Sequence, residues 1–169
     1  MQDWDRILTE HAPAVWAAAY RLLGNAADAD ECMQEAFVAA VRADGRQAVR
    51  DWRALLRWLV TKRGLDRLRR RLAEKASLGP AVWEALASAG EAPDARMQRA
   101  ELADGLRVAL GRLPDRHAQA FCLRHLEEMS YEDIAGQLQV SVNSVGVILN
   151  RARERLRELL KECALEKPK

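Results

Sequence analysis

Between Ser130 and Leu160 (SYEDIAGQLQVSVNSVGVILNRARERLRELL) the apolar residues recur every three or four positions, break once, and resume. That period puts them on one side of an α-helix, so the break leaves room only for a tight turn between two helices. Ile134, Ala135 and Leu138 form the first apolar face, and Ser130 with Asp133 supplies its N-cap. Val140 sits at the turn, Ser141 with Ser144 caps the second helix, and Val145, Leu149, Ala152, Leu156 and Leu159/Leu160 are its buried stripe. This is the pattern of a helix-turn-helix, in which a small residue (Ala135) lets two helices pack closely and the second helix enters the DNA major groove. Its other face carries Asn143, Asn150, Arg151 and Arg155, side chains able to reach phosphates or base edges. Gln139 occupies the position where a turn glycine is usual. Two short amphipathic helices with a polar turn also occur in all-α proteins that bind no DNA, so this stretch alone leaves both readings open.

Charge narrows the choice. The net charge of the 169 residues is only +2, but its distribution is uneven. Residues 1–41 hold seven acidic groups against Arg6 and Arg21, whereas residues 57–72 hold seven basic groups against Asp66 alone. A segregated basic stripe suits a polyanion, although a charge run is more often a solvated face. Cys32, Cys122 and Cys163 are too scattered for a disulfide framework, and the spacing of His117, Cys122 and His125 fits no standard zinc pattern. No signal peptide and no apolar run of about 18 residues is present, so a reducing cytoplasm without membrane insertion is expected. No nucleophile–base pair, metal cluster or Gly-rich phosphate loop stands at a meaningful spacing, which argues against an enzyme and implies no cofactor.

The rest of the chain reads as helix throughout. Residues 3–23 place Val15, Trp16, Ala19, Tyr20 and Leu23 on one face, with Pro13 expected to kink or separate the first turns. Residues 27–43 bury Cys32, Ala36, Phe37, Ala40 and Val41 and show an acidic face, Asp28, Glu31, Gln34 and Glu35. A polar loop at 44–50 leads to Asp51, which caps a helix to about Leu72 with Trp52, Leu55, Leu56, Leu59, Leu68 and Leu72 inward. Gly64 inside it costs about 1 kcal/mol relative to Ala, which packing must offset. Trp58, at the edge of that stripe beside cations, suits the core or a stack on an unpaired base. Residues 75–98, punctuated by Gly79-Pro80, Gly90 and Pro93, read as a linker with one short helix near Val82–Ala89. Helices at 99–112 and from Pro114 to about Glu128 then precede the helix-turn-helix, and 166–169 are expected to fray. The expected architecture is therefore all-α: two small helical domains, 1–74 and 99–164, joined by a 75–98 linker, the C-terminal domain containing the helix-turn-helix.

Taken together, two stretches resemble a known family. LPDRHAQAFCLRHLEEMSYEDIAGQLQVSVNSVGVILNRARERLREL (113–159) resembles the promoter-binding domain of bacterial extracytoplasmic-function (ECF) sigma factors. HAPAVWAAAYRLLGNAADADECMQEAFVAAVRA (11–43), followed by WRALLRWLVTKRGLDRLRRR (52–71), resembles their N-terminal domain. The order, spacing and linker agree with the family, and the match covers most of the chain. The resemblance implies a non-enzymatic subunit that binds core RNA polymerase and directs promoter recognition and melting. It implies docking of Asp28, Asp30, Gln34 and Glu35 on the β′ clamp helices, and the β flap as a further polymerase contact. Lys62, Arg63, Arg67, Arg70 and Arg71 would bind and open the −10 element, with the 44–50 loop as base pocket. Ser141, Asn143, Ser144, Val147, Asn150, Arg151 and Arg155 would read the −35 element. It further implies a linker threading toward the polymerase active-site and RNA-exit channels, and control by an anti-sigma factor. The chain departs from the family where a cation, often followed by Ser-Arg, comes after the valine matching Val145: here stand Gly146, Val147 and Ile148. Lys62 replaces a family Asn. A stand-alone helix-turn-helix regulator and a sigma-like adaptor acting through protein contacts are the competing expectations.

Overall fold

The computed structural model describes residues 3–46, 48–78 and 95–165. Among them are seven α-helices and no strand: α1 (Trp4–Leu23), α2 (Ala26–Asp44), α3 (Trp52–Leu78), α4 (Ala95–Arg112), α5 (Asp115–His125), α6 (Tyr131–Leu138) and α7 (Val142–Leu165). The expected helix near Val82–Ala89 and the expected fraying of 166–169 fall outside the described residues. Both ends of the expected linker are helical instead, because α3 runs on to Leu78 and α4 begins at Ala95.

Side-chain caps set several starts. The Arg6 N–H donates to Asp3 (3.1 Å), the Asp28 N–H to Asn25 (2.8 Å), and the Ala54 N–H to Asp51 (2.9 Å), satisfying first-turn donors that have no intrahelical partner. Pro13 does not break α1. It deletes only the N–H that would reach the carbonyl of Thr9, an exposed residue where water can serve, while Ile7 and Val15 on either side are buried in one core. The end of α1 is unusually well satisfied. The Gly24 N–H (φ 76°) donates to the Tyr20 carbonyl, Arg71 to that of Leu23 (3.2 Å), and Arg107 to that of Leu22 (3.1 Å). Two guanidiniums thus meet the negative end of one helix.

Helices α1, α2 and α3 form an N-terminal bundle, and α4–α7 a C-terminal one. Val15, Ala19 and Leu23 are buried as expected, with Leu22 and Ala18 beside them, but Tyr20 is exposed and stacks on Trp16 with centroids 5.1 Å apart. Val41 is likewise about half exposed, because the inward stripe of α2 is narrow and made of Ala29, Cys32, Ala36, Phe37 and Ala40. Small residues there bring α2 close to α3. Gly64 answers the same need: a Cβ on it would stand 2.6 Å from Leu22 Cδ2, so glycine is what lets α1 and α3 approach.

The two bundles share a core. One buried cluster runs from Ile7, Val15 and Leu22 through Leu59, Leu65 and Leu68 to Leu110, Leu113, Leu156 and Leu159. A second, under the helix-turn-helix, holds Leu123, Ile134, Leu138, Val145 and Leu149 and also takes in Ala54 of α3. Gly111 of α4 sits against Leu72 of α3, where a Cβ would come within 2.5 Å of Leu72 Cδ1. Polar contacts reinforce the seam. Glu127, only 4% exposed, accepts from Arg21 at 2.7 Å, while Arg57 donates to the Glu127 carbonyl at 2.6 Å. Arg69 pairs with Asp115 (2.5 Å) and donates to the Leu113 carbonyl (3.2 Å).

Candidate nucleic-acid interface

The recognition helix is built as its sequence dictates. The Asp133 N–H donates to Ser130 Oγ (3.1 Å) at the start of α6, and the Ser144 N–H to Ser141 Oγ (3.1 Å) at the start of α7. Between them Gln139 takes the left-handed conformation (φ 54°, ψ 49°), and its N–H reaches the Ala135 carbonyl. A residue with a Cβ therefore performs the turn that glycine usually makes. Val145, Leu149, Ala152, Leu156 and Leu159 face inward, and Ile148 packs at the edge of the inner cluster. That leaves Asn143, Val147, Asn150 and Arg151 outward, with Val147 51% exposed. Arg155 is also outward but is tied to Glu158 (2.7 Å). Ser141 and Ser144 bond each other (2.7 Å) as well as capping the helix.

The basic stripe of α3 divides in two. Arg67, 13% exposed at its side chain, pairs with Glu31 and Glu35 (both 2.8 Å) and Asp28 (3.4 Å). Burial opposes its charge, but the bonds and charges of Glu31 and Glu35 outweigh this and hold its pKa above the ordinary value. Arg71 pairs with Asp28. These two arginines join α3 to α2. Lys62, Arg63 and Arg70 are in no ion pair among the described residues, and Lys62 and Arg70 are exposed. The Lys62 ammonium lies 5.3 Å from the centre of the Trp58 ring. Trp58 is half-buried, and its indole N–H is enclosed without a hydrogen-bond partner. It lines a cleft of about 700 Å³ with Ala48, Val49 and Arg50 of the loop on one side and Gly136, Gln137 and Gln139 of the helix-turn-helix on the other. The expected base pocket thus opens onto the other bundle.

The acidic face of α2 is divided too. Asp28 and Glu35 serve Arg67, and Asp30 accepts from the Trp16 indole (2.6 Å). Gln34 is exposed in a shallow hollow with Glu31, Glu35, Val38, Ala39, Arg42 and Arg63. Val38 and Val41, each about half exposed, give α2 an apolar strip beside its acids. Sequence periodicity assigned Val41 to the core and passed over Val38; its outward position is one step off the inward stripe, the only signal that could have found it.

Comparisons with known proteins match each bundle to a known domain family. Residues 7–73 match the family described as Sigma-70 region 2, and residues 103–156 match Sigma-70, region 4. The chain is 30% identical over 98% of its length to the ECF RNA polymerase sigma factor SigE of Mycolicibacterium smegmatis, of whose length it spans 65%. It is 31% identical over 79% of its length to the ferric citrate uptake sigma factor FecI of Escherichia coli, covering 77% of that protein. In fold it is similar to the sigma factor RpoE of Bartonella quintana, solved with the anti-sigma factor NepR, at a TM-score of 0.53 and 23% identity over 95% of this chain and 98% of that one. With region 2 carried on α1–α3, region 4 on α4–α7 and sigma-factor relatives at this identity and coverage, the chain belongs to the ECF sigma factor family.

Proposed function

We propose that this chain is a promoter-specificity subunit: it binds core bacterial RNA polymerase in the cytoplasm, recognises promoter DNA and assists its melting. The observation that carries the reading is the coexistence on one small chain of three separately built outward surfaces. These are the acid-and-valine face of α2, the Lys62–Trp58–Arg70 side of α3 and the groove face of α7. A stand-alone regulator has no use for the first two. In this reading the hollow lined by Gln34, Glu35 and Val38 meets the β′ clamp helices, with Asp28, Asp30 and Val41 elsewhere on the same helix. Lys62, Arg63 and Arg70 track the melted strand, and Trp58 with the 44–50 loop receives an extruded base. Arg67 and Arg71 act through α2, holding that surface in place. The C-terminal bundle docks on the β flap and sets α7 in the −35 major groove.

The packed arrangement fits regulation. The −35 and −10 elements are separated by about 25 base pairs, about 85 Å at 3.4 Å per pair. A compact chain of this length has a diameter of about 40 Å, so the bundles must part to engage both elements. An anti-sigma factor that holds them together would keep the subunit inactive. The test is binding of the purified protein to core polymerase, followed by transcription from genomic promoter fragments. Tight binding with new start sites is expected. Binding without transcription would favour an adaptor role, a reading kept open by the absence of cations from Val142 to Leu149.

A further inference from the structure

The first two turns of α7 combine three features that the packing of the domain does not require. Asn143, Val147 and Asn150 follow at i, i+4 and i+7, so they share one face, directly opposite the buried Val145, Leu149 and Ala152. All three are exposed, and neither asparagine has a hydrogen-bond partner among the described residues. No cation precedes Arg151 on the helix. Beside this face sits Gly146. A Cβ there would meet only Tyr131 Cε2, at 3.8 Å, an ordinary contact. Internal packing therefore gives no reason for a glycine in mid-helix, where it costs helix propensity. The remaining reason for such a glycine is close approach of the backbone to something outside the chain.

We propose, resting on the promoter-binding reading above, that this face reads A·T base pairs in the −35 element. Asn143 and Asn150 pair through their amides with adenine N6 and N7, and the Val147 methyls pack on a thymine C5-methyl. Gly146 lets the helix seat deeply enough for these short side chains to reach. The chemistry selects the ligand. An asparagine amide matches the donor–acceptor pair of adenine, a valine matches the thymine methyl, and guanine is read by arginine or lysine, which this segment lacks. Glu154, one turn further on the same face, repels phosphate and limits base contact to the first turns. Arg151, exposed and in no ion pair among the described residues, remains as the phosphate anchor.

The experiment uses the holoenzyme reconstituted from core polymerase and this chain, selecting from promoters randomised across the −35 element. Contiguous A·T pairs should be enriched, with no obligatory G·C pair under the N-terminal half of α7. Replacing the selected thymine by deoxyuridine, which removes only the methyl, should weaken wild-type binding about fivefold or more and leave Val147→Ser unaffected. Asn150→Ala should lose about tenfold and relax preference at one adenine. Gly146→Ala should raise the melting temperature yet lower −35-dependent transcription, a combination that a purely structural glycine would not give. Selection of an obligatory guanine, or a wild type indifferent to deoxyuridine, would overturn the proposal while leaving the sigma assignment intact. So would variants of this face that transcribe normally but lose a protein partner. Failure to bind core polymerase would remove both.

Discussion

Gln139 and Glu128 are the non-glycine residues with positive φ among those described, at 54° and 53°. Each pays the steric cost of the left-handed region, about 1–2 kcal/mol for an L-residue. Gln139→Gly should therefore stabilise the fold by about 0.5–1 kcal/mol once the extra freedom of the unfolded glycine is set against it, which thermal denaturation would record as a rise of about 1–4 °C. Arg67 offers the opposite case. Removing it leaves Asp28, Glu31 and Glu35 facing one another, so Arg67→Ala should destabilise by about 1–3 kcal/mol, the carboxylates being partly solvated. Because it ties α2 to α3, that variant should lose core binding together with stability, whereas Lys62→Ala and Arg70→Ala should lose promoter opening with stability unchanged. Cys32 and Cys122 supply a pH dependence. Burial pushes their thiols up to about 11 and about 12 from 9.0. The unfolded chain then sheds these protons first as pH rises, so stability falls from about pH 9 upward. Urea titrations between pH 8 and 11 should show a shallower alkaline loss in Cys32→Ala and Cys122→Ala than in the parent chain.

At the scale of elements, α3 decides most. It is the longest helix, it supplies Leu56, Leu59, Val60, Leu65 and Leu68 to the shared core, and it carries Lys62, Arg63 and Arg70 on its free side. Its crossing with α1 depends on Gly64. Gly64→Val would force branched carbons into the place of the buried Leu22 side chain and should cost about 1–3 kcal/mol by overpacking, measurable by chemical denaturation. The sequence called α3 correctly in its start and its cap but ended it near Leu72. Propensity weakens at the Ala-Glu-Lys-Ala-Ser stretch only in apolar content, not in helix-forming tendency, so the helix continues without a buried stripe to announce it. The same confusion of apolar pattern with helix extent delayed the start of α4.

At the scale of the whole molecule the seam between the bundles is the element with consequences. Glu127 is its buried centre, bridged by Arg21 of α1 and Arg57 of α3. Glu127→Gln removes the charge while keeping the backbone carbonyl that Arg57 uses. It should loosen the seam by about 1–3 kcal/mol, because Arg21 is half-solvated and loses less than a fully buried partner would. Small-angle scattering should then show a larger radius of gyration for the variant in free solution. Unchanged dimensions would mean that the apolar contacts around Leu72, Gly111 and Leu113, with the Arg69–Asp115 pair and the arginine bonds to backbone carbonyls, hold the halves together without the Glu127 charge.

The helix-turn-helix, its caps at Ser130 and Ser141, the Asp51 cap and the all-helical class were legible in the sequence, because caps and periodic apolar stripes are local and short-range sterics decide them. The family was legible for the same reason: its motifs lie within continuous stretches. What only the tertiary structure decided is which charges are free. Seven cations in one stretch look alike in sequence, yet Arg67 and Arg71 belong to Asp28 and its neighbours, Arg57 and Arg69 to the seam, and Lys62, Arg63 and Arg70 are in no ion pair among the described residues. Ion pairing depends on distances between helices far apart in the chain, and so does the packing of the two bundles. Neither leaves a period in the sequence.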